Sequence, residues 1–159
     1  MGKLLSGITF LSLLISGCSS AYQKDTSRLD LIKKRGELIC GVSGQIAGFS
    51  FLENDGKYKG LDVDICKAFA AGILGDANKV QYRQLTSTER FTAIKTGEID
   101  VLSRNTTFTL SRDSTGGNGL SFAPIVFYDS QGIMVKKESN IKNIQDLKNK
   151  SICVGSGTT

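Results

Sequence analysis

The chain contains no histidine, no tryptophan and a single proline. The absence of histidine excludes a Ser-His-Asp triad, a Cys-His pair and every zinc site with a histidine ligand. A large net charge is missing as well, since 20 Lys and Arg against 15 Asp and Glu give a formal net charge of only +5. Basic residues cluster only in short runs such as 33–35. Because binding to phosphates requires a basic face, we expect no nucleic-acid partner.

A hydrophobic run long enough to cross a membrane is also missing. The apolar stretch from Leu4 to Ile15 follows a short positive start at Met1-Gly2-Lys3, and its length suits the core of a signal peptide rather than a span of ~30 Å. The 159 residues, 40% of them hydrophobic, indicate one globular domain, or one domain with a fragment of another.

The end of the apolar stretch, Ile15-Ser16-Gly17-Cys18, resembles the box of bacterial lipoproteins. The resemblance implies that residues 1–17 are a signal peptide, that Cys18 is lipidated, and that residues 18–27 form a flexible tether. The membrane contact of the mature protein would then be a lipid anchor only, on an exported chain. The alternative is an ordinary signal peptide with an incidental cysteine.

The remaining cysteines, Cys40, Cys66 and Cys153, include no CxxC pair. Three thiols without histidine are a poor set of metal ligands, so we predict no metal site. Cys40 and Cys66 are interpreted as small buried residues. A disulfide between them is the alternative, which an oxidising exported compartment would permit.

Helices and strands alternate along the chain. Ser27 and Gly36 bound a helix over 28–34, a second helix covers 62–74, and Thr86-Ser87-Thr88-Glu89 has the spacing of a capping box before a helix that closes at Gly97. Strands are predicted at 37–42, 79–85 and 99–102. This alternation is typical of an α/β fold with a mostly parallel sheet. Two further strands are predicted at 132–135 and 151–154, and Asn143 is expected to cap a short helix.

The polar segment 103–112 leaves the carboxyl end of the predicted third strand. Ligands of open α/β sheets bind beyond that edge. Arg104 and Arg112 would suit a carboxylate, because the planar guanidinium matches its two oxygens. The alternative is a solvated loop.

The order of these pieces resembles the amino-acid-binding proteins of bacterial ABC importers, the polar amino-acid group of solute-binding proteins. The pieces that carry the resemblance are Gly60-Leu61-Asp62-Val63-Asp64, the run 89–101, Thr107-Phe108-Thr109-Leu110-Ser111-Arg112, Leu120-Ser121-Phe122-Ala123, the run 128–132 and Gly155-Ser156-Gly157-Thr158-Thr159. Leu102-Ser103-Arg104-Asn105-Thr106-Thr107 is most similar to the general or acidic/amide L-amino-acid branch. The match covers about residues 28–159.

The resemblance implies a type II periplasmic-binding-protein-like fold of two lobes. The first lobe would comprise residues 28–135, and residues 136–159 would be the crossover and the start of a truncated second lobe. In such proteins the positions of Thr107 and Arg112 hold the α-carboxylate of the ligand, those of Arg104 and Asn105 line the cleft, and that of Thr159 reaches the ligand from the second lobe. Phe49 matches an aromatic position near the first strand end, where packing in the core is the alternative to ligand contact.

Two features depart from the family pattern. Ile46 stands where many relatives have an aromatic residue that stacks on the ligand, which weakens an assignment to cationic ligands. The family is also about twice as long as this chain, so most of the second lobe, with its acidic ligand for the amino group, lies beyond it.

The sequence therefore predicts an extracytoplasmic protein that binds a free L-amino acid, in the range Glu, Gln, Asp and Asn or broader. Its expected partner is the permease complex of an ABC importer in the inner membrane, and we expect a monomer without cofactor or enzymatic activity. An exported dehydratase on the same scaffold is one alternative, but the segment 102–112 supplies no general acid and Asp113 is the nearest carboxylate. A sensor domain of a membrane receptor is the other.

Overall fold

The computed structural model describes residues 26–114 and 119–159. The predicted signal peptide, Cys18 and all of the tether before residue 26 lie outside these ranges. The described part begins with helix α1 (Arg28–Arg35) and strand β1 (Leu38–Val42), which lead into a small sheet of three short strands. Helix α2 (Leu61–Leu74), strand β5 (Val80–Gln84), helix α3 (Arg90–Thr96) and strand β6 (Val101–Leu102) follow.

A parallel sheet forms the centre of the fold, with the strand order β5-β1-β6. Cys40 on β1 is aligned with Tyr82 on β5 and with Val101 on β6. Strand β1 is almost entirely buried, as expected for the middle strand of a sheet that helices cover. The prediction of an α/β fold with a parallel sheet is confirmed.

Helix boundaries follow the capping residues of the sequence. The Ser27 side chain accepts a hydrogen bond from the Asp30 amide at the start of α1, and Gly36 ends this helix in the left-handed conformation. Before α3, the Thr86 amide donates to Glu89 Oε2 and the Glu89 amide donates to Thr86 Oγ1, at 2.9 and 3.3 Å. This reciprocal pair is the capping box that the sequence predicts.

A small antiparallel sheet connects β1 to α2. Its strands β2 (Gln45–Ile46), β3 (Ser50–Leu52) and β4 (Tyr58–Lys59) run in this order. The Ser50 side chain is buried beneath the start of α2, where its hydroxyl accepts hydrogen bonds from the amides of Ser43 and Gly44 and donates to Asp62 Oδ2 at 3.0 Å. These hydrogen bonds attach the hairpin formed by β3 and β4 to the carboxyl end of β1.

Gly60 joins this hairpin to α2 with a φ of 121°, and a Cβ there would overlap the Phe49 carbonyl oxygen. We expect Gly60→Ala to lower the free energy of unfolding by about 2 kcal/mol, since only glycine adopts this backbone conformation without strain. Gly72→Ala is the matched control. Gly72 lies inside α2, and a Cβ added there would meet open space, so alanine should raise the free energy of unfolding by about 0.5–1 kcal/mol. Denaturant unfolding measures both, and equal effects would contradict the assignment.

A disulfide between Cys40 and Cys66 joins the central strand to α2, with a Cα–Cα distance of 6.1 Å. Both residues are fully buried and share an apolar cluster with Val42. The structure therefore decides between the two interpretations of these cysteines: they are buried, as expected, and they are also bonded to one another. Cys153 is free and exposed.

The segment after residue 119 contains little regular structure. A short 3-10 helix at Ile144–Leu147 begins at Asn143, which forms the expected cap. The strands predicted at 132–135 and 151–154 are wrong, because neither segment has a strand partner in the described part of the chain and both are exposed, Met134 to 98% and Val154 to 73%. None of the helices described is long and apolar enough to cross a membrane.

Candidate functional site

The three parallel strands end at one edge of the sheet, and the segments that leave this edge lie beside one another. After β1 the chain continues into Ser43, after β5 into Leu85, and after β6 into Ser103. The Leu85 amide donates to the Val42 carbonyl and the Ser103 amide to the Gly41 carbonyl, both at 2.9 Å. Polar side chains from separate parts of the sequence are thus brought to one hollow, as the rule for open α/β sheets predicts.

A cavity of about 520 Å³ opens at this edge. Four of the residues predicted to bind a ligand, Asn105, Thr107, Arg112 and Thr159, line it together. The hydroxyls of Thr107 and Thr159 are 3.4 Å apart, although 52 positions separate them in the sequence. The other lining residues are Ser87, Arg90, Asp129, Ser130, Gln131, Cys153, Val154, Gly155 and Thr158.

The Arg112 guanidinium is positioned by contacts within the protein, and among the described residues two of its nitrogens, Nη2 and Nε, have no acceptor. Its side chain is 7% exposed, Nη1 donates to the Thr107 carbonyl at 2.8 Å, and the guanidinium carbon lies 5.1 Å from the centre of the Phe91 ring. Within residues 26–114 and 119–159 it forms no ion pair, and its Nη2 and Nε form no hydrogen bond. A buried fork with unused donors is suited to an anion.

Arg90 also lines the first cavity, which the sequence did not predict. It is 2% exposed at the start of α3, with Nη1 donating to Thr106 Oγ1 at 3.1 Å and Nη2 to the Gly157 carbonyl at 3.0 Å. Its Nε is buried and has no partner within residues 26–114 and 119–159. Burial, followed by the charges of the neighbouring Arg104 and Arg112, lowers the pKa of Arg90 to about 10. A helical arginine usually lies on the solvated face, so spacing alone gave no signal here.

Arg104 lines a second cavity of about 630 Å³ rather than the first. Its Nη1 donates to Ser87 Oγ at 3.3 Å, and its buried Nε has no partner in the part of the chain that the structure describes. Burial lowers the pKa of Arg104, and the charge of Asp62 opposes that shift. The remaining lining residues are neutral, namely Ser43, Gln45, Gln84, Leu85, Thr86, Ser87, Thr88 and Ser156.

Asp62 is a buried acid whose charge acts on Arg104. Burial raises the pKa of Asp62, whereas the hydrogen bond from Ser50 and the charge of Arg104 lower it. The Asp62 carboxylate is connected to strand β3 by the hydrogen bond that it accepts from the Ser50 hydroxyl.

Phe49, the sixth predicted site residue, lies apart from both cavities. It is half-buried, and its ring packs edge-on against Phe127 with 5.0 Å between the ring centres. Its contact with a ligand stays a prediction.

The arrangement can bind an anion. The guanidinium groups of Arg104 and Arg112 lie close enough to that of Arg90 for their charges to lower its pKa. Among the described residues no group of three or more Cys, Asp or Glu is placed to hold a metal ion. Hydroxyls and an amide surround the arginines, which suits recognition of a carboxylate by charge-assisted hydrogen bonds.

Residues 38–152 match the profile of the bacterial extracellular solute-binding proteins, family 3. The chain belongs to this family. It is 44% identical to the general L-amino acid-binding periplasmic protein AapJ of Rhizobium johnstonii over 99% of this chain and 45% of that protein. It is also 44% identical to the glutamate/glutamine/aspartate/asparagine-binding protein BztA of Rhodobacter capsulatus over 96% of this chain and 43% of that one. The chain thus spans less than half the length of these relatives.

A solved structure of a periplasmic binding protein of an ABC transporter from Brucella ovis, with glutathione bound, is similar over 82% of this chain and 41% of its own. Its sequence identity is 47% and its TM-score 0.73. A cysteine-binding protein from Campylobacter jejuni matches 76% of this chain and 47% of its own, with 28% identity and a TM-score of 0.62. These are type II periplasmic binding proteins, so the predicted fold class is confirmed.

Proposed function

We propose that this protein is the extracytoplasmic solute-binding component of an amino-acid ABC importer and that it binds an L-amino acid through the α-carboxylate. The observation that carries the proposal is the buried Arg112 guanidinium, which lines the first cavity with donors unused by the described chain. The names of AapJ and BztA, with their general or Glu/Gln/Asp/Asn specificity, support a ligand in this range.

In this proposal Arg112 forms the two parallel hydrogen bonds to the α-carboxylate, and the Thr107 hydroxyl adds a third. Thr159, whose hydroxyl is 3.4 Å from that of Thr107, offers a further hydroxyl to the ligand at the same place in the cavity. Asn105 offers its amide within the same cavity. Charge-assisted hydrogen bonds are stronger than neutral ones, which gives selectivity for the ionised acid group.

We also propose that the protein has no catalytic activity. The carboxylate that lines the first cavity is that of Asp129, which is exposed and accepts a hydrogen bond from the Ser130 amide. A general acid for a dehydratase needs a raised pKa and a position at the reacting group. The exposed carboxylate of Asp129, which accepts the hydrogen bond of the next amide, is not held at a reacting group, and the relatives are binding proteins.

The disulfide supports an extracytoplasmic location, because disulfides persist in oxidising compartments and are rare in the cytosol. We propose that residues 1–17 direct export, that acyl chains on Cys18 hold the monomer at the membrane, and that it delivers its ligand to an inner-membrane permease. Labelling cells with a palmitate analogue tests the anchor. Label on the wild type and none on Cys18→Ser is expected, whereas equal label on both would contradict it.

Titration of the purified protein with L-amino acids tests the binding function, with amide NMR shifts as a readout that extends into the millimolar range. We expect L-glutamate or L-glutamine to shift the amides around 104–112. Isoglutamine is the matched control, because it replaces the α-carboxylate of glutamate with an amide, and it should bind roughly tenfold or more weakly. Absence of any shift with the whole panel would contradict the proposed function.

A further inference from the structure

The second cavity is lined by a positively charged side chain, Arg104, that has no role in the proposed binding of the α-carboxylate in the first cavity. Arg104 is separated from the wall that Asn105, Thr107 and Arg112 form, and it lines the neighbouring cavity of about 630 Å³. Among the described residues its guanidinium makes one side-chain hydrogen bond, at 3.3 Å to Ser87, and its buried Nε has no partner there. A buried donor of this kind costs stability until something accepts its hydrogen bond.

The described chain does not neutralise this charge by contact. Asp62 acts on Arg104 electrostatically, but the hydrogen bond recorded for its carboxylate comes from Ser50. No ion pair to Arg104 is present within residues 26–114 and 119–159. The rest of the cavity lining is neutral, and most of it can donate hydrogen bonds. Arg104 is therefore the charged residue in this lining, and the lining offers hydrogen-bond donors to an anion.

Ser87 connects the two cavities, since it lines both. Its hydroxyl accepts from Arg104 on the side of the second cavity, while Arg90 and Arg112 line the first. A ligand held by its α-carboxylate in the first cavity thus has a second cationic hollow beside it, across one small side chain.

We propose that the second cavity is the subsite for a second carboxylate of the ligand, with Arg104 as the residue that binds it. The inference rests on the proposed function, in which the first cavity holds the α-carboxylate. The ligand class is then an L-amino acid or short peptide that carries two carboxylates, and Arg104 determines the preference for the dianion over a neutral analogue of the same shape.

Two pairs of probes test this subsite, and the members of each pair differ only in the second carboxylate. L-Glutamate and L-glutamine form the short pair, and γ-L-glutamylglycine and γ-L-glutamylglycinamide form the long pair. We expect the dianionic member of at least one pair to bind roughly tenfold or more tightly, as a charge-assisted hydrogen bond implies. The pair that shows the preference identifies the distance between the two carboxylates.

Arg104→Gln is expected to reduce that preference to less than about threefold, with the larger loss of affinity for the dianionic member of the pair. Lys34→Gln is the control for the loss of one positive charge, since Lys34 is exposed on α1, and it should keep the wild-type preference. If Arg104→Gln fails to fold, the Nε resonance of Arg104 in the wild-type protein gives the second measurement. It should shift with the dianion and stay in place with the amide.

The results separate the two proposals. Equal affinity within both pairs, or a preference that survives Arg104→Gln, would overturn the subsite and leave the binding function intact. An Nε resonance that does not respond to the dianion would overturn it as well. Failure of all four probes and of the whole amino-acid panel would remove the proposed function, and the subsite with it.

Discussion

Replacing Arg112 with alanine is expected to weaken binding of the amino-acid ligand by about 10- to 150-fold. The substitution removes the guanidinium that lines the first cavity and leaves a desolvated carboxylate without its charged partner, a loss of about 1.5–3 kcal/mol. Arg112→Lys should recover only part of the affinity, because the ammonium keeps the charge but lacks the planar fork. Titration calorimetry on the three proteins measures the difference.

The matched control for this experiment is Arg83→Ala. Arg83 carries the same charge, but it lies on β5 where its guanidinium bonds the exposed Glu98 at 2.5 Å, and it lines neither cavity. Surface ion pairs of this kind contribute little, so the affinity should change by less than about twofold. Because Arg112 also supports the Thr107 carbonyl, the thermal melt of each variant is recorded first. A folded Arg112→Ala protein with wild-type affinity would show that the carboxylate binds elsewhere.

The helices and the parallel sheet were predictable because their signals are local. Ser27 and Gly36 mark the ends of α1, and the Thr86–Glu89 capping box precedes α3. A short apolar run such as Leu38–Val42 between such helices is then expected to form a buried strand that the helices cover. The segments at 132–135 and 151–154 have the same apolar character, yet they form no strand. A strand requires a neighbour to complete its hydrogen bonds, and the described chain provides none there.

The candidate site was predictable in part for the same reason. Asn105, Thr107 and Arg112 follow β6 directly, so the strand-end rule places them at one edge, and Thr159 joins them in the first cavity. The position of Arg104 in a second cavity was not predictable, because adjacent residues that leave a strand diverge according to the packing around them. Arg90 was missed because its burial depends on the loop of residues 105–106 and on Gly157, which are distant in sequence.

Loss of the Cys40–Cys66 disulfide is expected to lower the free energy of unfolding by about 3.5 kcal/mol. The bond closes a loop over a sequence separation of 26, and a cross-link of that length restricts the unfolded chain by about this amount. The effect is large for this fold because Cys40 lies in the central strand and Cys66 in the helix that covers it. Denaturant unfolding of the oxidised protein, the reduced protein and the Cys40→Ala/Cys66→Ala double variant measures it.

Cys153→Ala is the control for this series, since Cys153 is exposed and unbonded, and its stability should stay within about 0.5 kcal/mol of the wild type. The double variant should unfold at the same denaturant concentration with and without reductant, whereas the wild type should respond to reductant strongly. Comparison of the reduced wild type with the double variant separates the cross-link from the packing of the two sulfur atoms, because only the former retains them in the core. Reduction that leaves the unfolding midpoint of the wild type unchanged would contradict the assignment of the bond, and with it the argument from the bond to an oxidising compartment.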